Sequence, residues 1–180
     1  MTSLPTTATA RLLAVADLIE AHPERHDQSS WIGGREGEDY PSYPRAEMGR
    51  GGDCGTTACV AGWAVRLTPA GSILPGTVDE WQEAGRDALG LSDNLAWVLF
   101  SENFAPESMP EVLRLVAAIP EGGRTLRAAV EAGMTDLRGA DLSGVDLSRM
   151  NLEGALADRE TDLPANCGWE IINGEIRSTP

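Results

Sequence analysis

Residues 135–154 read TDLRG-ADLSG-VDLSR-MNLEG, and this stretch decides how the rest of the chain is read. Set out in fives, it places Leu137, Leu142, Leu147 and Leu152 at one recurring position. Asp136, Asp141, Asp146 and Asn151 stand just before them, and Thr135, Ala140, Val145 and Met150 two before. A worn fifth copy, Ala155-Leu-Ala-Asp-Arg159, follows. A period of five matches neither the 3.6-residue repeat of a helix nor the two-residue alternation of a strand. A short period held through four copies signals one small unit laid against its own neighbours.

The pattern resembles the pentapeptide-repeat family, whose repeats follow A-(D/N)-L-x-x, and the resemblance covers about residues 135–163. It implies a right-handed square β-solenoid with one repeat per side and four per turn. The four leucines then point inward, with Thr135, Ala140, Val145 and Met150 as the second inward set. Val145 and Met150 are larger than the small residue the family prefers there, as befits an end of the coil. Four good repeats make one turn. Beyond them, Gly168–Ser178 (GWEIINGEIRS) carries Asn173-Gly174 between two short apolar-alternating runs, a strong hairpin signal. The hairpin is expected to close the bottom of the solenoid, and a helix over 124–132 to cover its top.

Upstream the period is helical. Thr6 to Ala21 carries an apolar face of Leu12, Leu13, Val15, Ala16, Leu18 and Ile19 and is ended by Pro23. Residues 57–67 form a second helix with Thr56 or Thr57 as its cap. Further helices run over Val78–Leu89, stopped by Gly90, then from Ser92 through Leu95, Val98, Leu99 and Phe100, then over Glu111–Ile119 behind Pro110, and over Arg124–Ala132. The segment 24–53, rich in Gly, Pro, Ser and charge, shows no period and reads as a long loop. The expected fold class is α+β: a helical domain over 1–133 with the loop 24–53, then a one-turn solenoid with its hairpin over 134–180.

The stretch DCGTTACVAGWAV, Asp53 to Val65, is the one that looks like an active site. A thiol at a helix N-terminus has a lowered pKa, and the run resembles the start of the catalytic helix in papain-like proteases. Those enzymes need a histidine base after the nucleophile, whereas His22 and His26 precede Cys54 and neither has a recognisable orienting partner. A zinc site from Cys54, Cys59, His22 and His26 lacks a standard spacing. The structural reading is stronger: Cys59 is a small buried residue packed one turn before Trp63, and Gly62 admits a close neighbour. Residues 18–104 also resemble a family of small uncharacterised bacterial and phage proteins with a Cys-Gly-Thr-x-x-Cys-x-x-Gly-Trp core, from which no activity carries over. No catalytic, cofactor or metal residue is assigned.

The net charge is −14, from 28 acidic and 14 basic residues, and every base is an arginine. Such a surface repels nucleic acid and anionic membranes. No run of secretory or membrane-spanning length occurs, so the chain is expected in the cytoplasm, with Cys54, Cys59 and Cys167 as thiols. The expected role is that of a non-enzymatic acidic interaction protein of bacterial or phage type. It would bind and inhibit a basic or nucleic-acid-handling protein partner, with no direct contact to nucleic acid or membrane. A cysteine hydrolase using Cys54 and a virion or other structural component are the alternatives. Some pentapeptide-repeat proteins mimic DNA and bind DNA gyrase through a long acidic rod. One turn places Asp136, Asp141 and Asp146 on different sides, so a rod is not available from the repeats alone. Asp79, Glu80 and Glu83, close together on one helix, are the compact acidic set, and Asp136, Asp141 and Asp146 the dispersed one.

Overall fold

The computed structural model of the protein describes residues 5–26, 59–68, 78–101, 104 and 107–179. Among them are six α-helices: α1 (Ala8–Ala21), α2 (Val60–Arg66), α3 (Val78–Leu89), α4 (Asp93–Leu99), α5 (Met109–Ala118) and α6 (Leu126–Glu131). A 3-10 turn, Pro23–Arg25, follows α1, and a two-stranded hairpin, β1 (Trp169–Ile172) and β2 (Glu175–Ser178), ends the chain. Cys54, Thr56 and Thr57 and nearly all of the loop 24–53 lie outside the described residues.

Helix starts follow capping chemistry. Thr7, Ser92 and Thr125 each accept the N–H three residues on, from Ala10, Leu95 and Ala128, which satisfies one of the N–H groups that a first helical turn leaves without a partner. The helix expected over 57–67 begins at Val60, and its cap is the sulfur of Cys59, which accepts from Gly62 N–H at 3.4 Å. Cys59 is therefore the boundary of the helix and not a member of its first turn, though it is buried as expected. α3 stops at Gly90, where φ is +63°, a conformation that costs glycine little.

α1 packs chiefly on α5, and α2 on α3. On α1 the buried residues are Ala8, Leu12, Val15, Ala16 and Ile19, while Leu13, expected in the apolar face, is exposed. Across the α1–α5 seam Arg114 pairs with Asp17 at 2.9 Å and Glu20 at 2.6 Å. The α2–α3 approach depends on a glycine. A Cβ on Gly85 would stand 2.6 Å from Ala61 Cβ and 3.0 Å from Ala61 Cα. Gly85→Ala should therefore destabilise the protein by about 1–3 kcal/mol, since the obstacle is a helix backbone and not a flexible side chain. Denaturant unfolding would check this, and an unchanged midpoint would show that α2 can shift freely.

The buried apolar residues run as one cluster from Leu12 on α1 to Ile176 on β2. Within the repeats, Leu137, Leu142, Leu147 and Leu152 are at most 2% exposed, and Ala140 and Val145 are buried with them. Thr135 departs from the expected inward set and is exposed, while Met134 is buried. The chain leaves α6 with Met134 N–H bonded to Ala129 C=O, and Met134 supplies the apolar contact at the entry.

Each repeat turns a corner with a hydrogen bond across three residues: Ala140 N–H to Leu137 C=O, Val145 to Leu142, Met150 to Leu147 and Ala155 to Leu152. After four corners the chain lies parallel to its own start, with Asp136 beside Leu156 and backbone bonds Leu137 N–H to Leu156 C=O at 2.9 Å and Leu156 N–H to Thr135 C=O at 2.7 Å. The next side pairs Asp141 with Asp162. In the worn copy Ala157 takes the leucine position and is buried, whereas Leu156 stands outside.

β1 and β2 pair antiparallel in the register Ile172–Glu175 to Trp169–Ser178, around Asn173 (φ +53°) and Gly174 (φ +83°). Both central residues at positive φ make the type I′ geometry that Asn-Gly favours. β2 also bonds to the worn copy through Ile176 N–H to Ala155 C=O at 2.8 Å and Gly154 N–H to Ile176 C=O at 2.9 Å, and Ile176 is fully buried. The hairpin thus lies under the side formed by residues 154–157.

Candidate functional site

The carboxylates of the repeats are committed first to their own backbone. Asp136 accepts Arg138 N–H, Asp141 accepts Ser143 N–H, Asp146 accepts Ser148 N–H and Asn151 accepts Glu153 N–H, each at 3.0–3.2 Å. This two-residue reach stabilises a tight turn at every corner, which is why Asp or Asn recurs before the leucine. Asp158 repeats the device with Glu160 N–H and also accepts Gly139 N–H at 2.9 Å from the preceding circuit. Thr161, 6% exposed, has its hydroxyl 3.0 Å from both Leu137 C=O and Asp158 Oδ1 and accepts Asp158 N–H. Asp158 and Thr161 staple the second circuit to the first.

Beyond these turns the three repeat aspartates differ. Asp136 bonds to Arg138 and to the hydroxyl of Ser108 at the start of α5, and Arg138 also pairs with Glu107 at 2.8 Å. Asp141 accepts the Ser143 hydroxyl at 2.6 Å and lies near the Trp97 side chain on α4, which adds to the lowering of its pKa. Asp146 is exposed. The set is divided, as one circuit requires, and two of its members face the helices.

Burial is the largest influence on Asp136 and on Asp158 and pushes each carboxyl up, but the hydrogen bonds together outweigh it and hold both below the ordinary carboxylate range. For Asp141 and Asp146 the bonds from Ser143 and Ser148 lead, with the same direction. A carboxyl depressed on folding stabilises the fold fully above its unfolded value, about 4, and that stabilisation is lost as pH falls through the folded value. The melting temperature should therefore hold through neutral pH and drop below about pH 4. Asp136→Asn and Asp158→Asn should each lower it at neutral pH and make the acid fall shallower. Parallel curves for parent and variants would remove these two groups from the account.

On the helices, the side chain of Asp79 lies outside the described residues, Glu80 is exposed, and Glu83 is exposed at 3.8 Å from Arg86. Arg86 also bonds to Asp87 at 2.9 Å and to Asp93 at 2.7 Å. The acidic ground around Glu83 is thus wider than the set Asp79, Glu80 and Glu83, and it carries a base of its own. Asp93 joins it from the first turn of α4, across the turn at Gly90.

His22 Nδ1 lies 3.3 Å from Glu24. Cys59 sits against its own helix, and Trp63, buried on α2, donates to Arg25 C=O at 3.1 Å. Among the described residues no group of three or more His, Cys, Asp and Glu side chains could hold a metal ion. Likewise no described helix is long and apolar enough to cross a membrane.

A circuit of four five-residue repeats with Asx-turned corners and inward leucines defines a pentapeptide-repeat segment, and residues 133–156 match the family model described as Pentapeptide repeats (8 copies). Neither curated proteins nor solved structures match the chain.

Proposed function

We propose that the protein is a non-enzymatic interaction protein. In this reading the repeat segment is one turn of a right-handed β-solenoid, capped by α6 above and the hairpin below, and it serves to brace an acidic helical surface. That surface binds a basic or nucleic-acid-handling protein partner and inhibits it by occupying the place of an anionic ligand. The observation behind the reading is where exposed charge gathers: the repeat carboxylates are committed to turns on separate sides, while four on or near α3 and α4, Glu80, Glu83, Asp87 and Asp93, are exposed close together in the chain. Carboxylates on a rigid helix pair attract a basic partner from a distance, an effect that salt screens within about 8–10 Å.

The test is affinity capture by the full chain, followed by titration of the captured partner at low and high salt. The expected partner is basic and is released as salt rises. Glu80→Gln with Glu83→Gln should slow association more than Asp146→Asn, and Cys54→Ser should leave binding unchanged. A partner without basic character, or affinity indifferent to salt, would overturn the reading. Loss of a measured activity in Cys54→Ser with the fold intact would favour a cysteine hydrolase instead.

A further inference from the structure

α4 buries Leu95, Ala96, Val98 and Leu99 and turns Trp97 the other way, leaving the indole 49% exposed. A large aromatic ring half in water is unusual for a seven-residue helix with so full a core face. The ring borders a groove of about 420 Å³ between α3 and α4, with Ala96 and Phe100 among its apolar lining and Glu83, Arg86 and Asp93 among its polar lining. Asp141, on the repeat segment, lies near enough to the Trp97 side chain for the indole to help hold its carboxyl below the ordinary range.

The charge around this ring does not balance. Glu83 and Asp93 line the groove, Asp87 joins them on Arg86 and Asp141 approaches Trp97, and among the described residues the guanidinium set against these four carboxylates is that of Arg86, which pairs with Glu83, Asp87 and Asp93. Glu83 stands 3.8 Å from it with its side chain 69% exposed, and Asp141 is bonded to Ser143. An aromatic face edged with more carboxylates than cations has a definite complement. A cation over the ring gains from the negative face of the indole and from the carboxylates together. A nucleic-acid base stacked there would bring its phosphate against this excess of negative charge. A purely apolar occupant would strip water from the carboxylates and return no hydrogen bond.

We infer that the groove between α3 and α4 seats an arginine or lysine side chain from a basic segment of the partner, with its cation on the Trp97 ring and its donors on Glu83 and Asp93. Arginine is the better fit, because a planar guanidinium stacks on indole and meets a carboxylate two-pronged. This rests on the reading above that the partner is basic, and it names the anchor within that surface.

The test uses the full chain with its indole N–H groups labelled for nuclear magnetic resonance, and octa-arginine as the probe. The chain's tryptophans, Trp31, Trp63, Trp81, Trp97 and Trp169, give separate signals. At low salt the Trp97 signal should shift along a saturating curve while that of buried Trp81 stays in place, and octa-glutamate should move neither. Trp97→Ala should weaken octa-arginine about three- to tenfold, as expected for a half-exposed cation–π contact. Glu83→Gln should weaken it by a comparable factor. Trp97→Leu keeps apolar volume without the ring and guards against a folding defect, and it should behave as Trp97→Ala does. If octa-arginine binds but leaves Trp97 unmoved, or shifts Trp169 equally, or binds Trp97→Leu within twofold of the parent, the groove is not the anchor and the basic-partner reading stands. If octa-arginine does not bind at low salt, both fall.

Discussion

Arg124→Met should lower the stability of the protein by about 3–5 kcal/mol, the loss expected when a buried charged donor is taken from several acceptors at once. The guanidinium is 1% exposed. It donates to Leu89 C=O at the end of α3 at 3.0 Å, to Ile119 C=O after α5 at 3.1 Å and to the Thr9 hydroxyl in the first turn of α1. Its own C=O accepts Ser92 N–H at 2.9 Å, the cap of α4. One side chain thus collects the ends of helices that otherwise expose unpaired carbonyls to the interior. Burial lowers its pKa from the ordinary arginine value, against a raising influence of Glu121, and the group remains charged because that value lies far above neutrality. Arg124→Lys should recover only part of the loss, since one ammonium cannot span acceptors that a planar fork reaches in different directions. Urea unfolding would measure both, and a Met variant within about 1 kcal/mol of the parent would mean that water replaces the guanidinium without strain.

Leu142→Ala is the second large effect, at about 2–5 kcal/mol. Leu142 is 1% exposed, and its N–H is bonded to Asp162 C=O on the next circuit at 2.8 Å. The backbone on that side is held between two corners and cannot close over the space a missing isobutyl group leaves. Ser143→Ala, one residue on and exposed, loses only a bond to Asp141 and should cost about 1 kcal/mol or less. Equal losses at the two positions would contradict the inward and outward assignment of the repeat.

What was legible beforehand was whatever the local chain decides alone. The helix start at Ser92, the stop at Gly90, the hairpin turn at Asn173-Gly174 and the inward leucines are each dictated within a few residues. Arg124 was not legible, because its burial depends on three carbonyl and hydroxyl acceptors that meet only after α1, α3 and α5 have packed. The local pattern places it as the first residue of a helix, and the helix begins at Leu126. The same holds for Gly85, whose partner Ala61 lies on a different helix, and for the exchange of Thr135 for Met134. Trp97 left a trace: with Leu95, Val98 and Leu99 on one arc of α4, it is the large aromatic residue off that arc. A helical projection of residues 93–99 would have singled it out.

The spacing of the parallel partners has a bearing on how this chain can change length. Asp136 meets Leu156 twenty positions later, but Asp141 meets Asp162 after twenty-one, so one extra residue is absorbed near Asp158–Glu160, where the Asp158 and Thr161 bonds hold it. Below that point the frame is interrupted and the hairpin takes over. Above it, between Gly154 and Ala155, the frame is intact, and a duplication of four whole repeats would add a storey while returning the hairpin to the same side. A duplication of one repeat would present the hairpin to the wrong wall, a quarter of the way round. Added length in this segment should therefore be accommodated in units of four repeats and not of one.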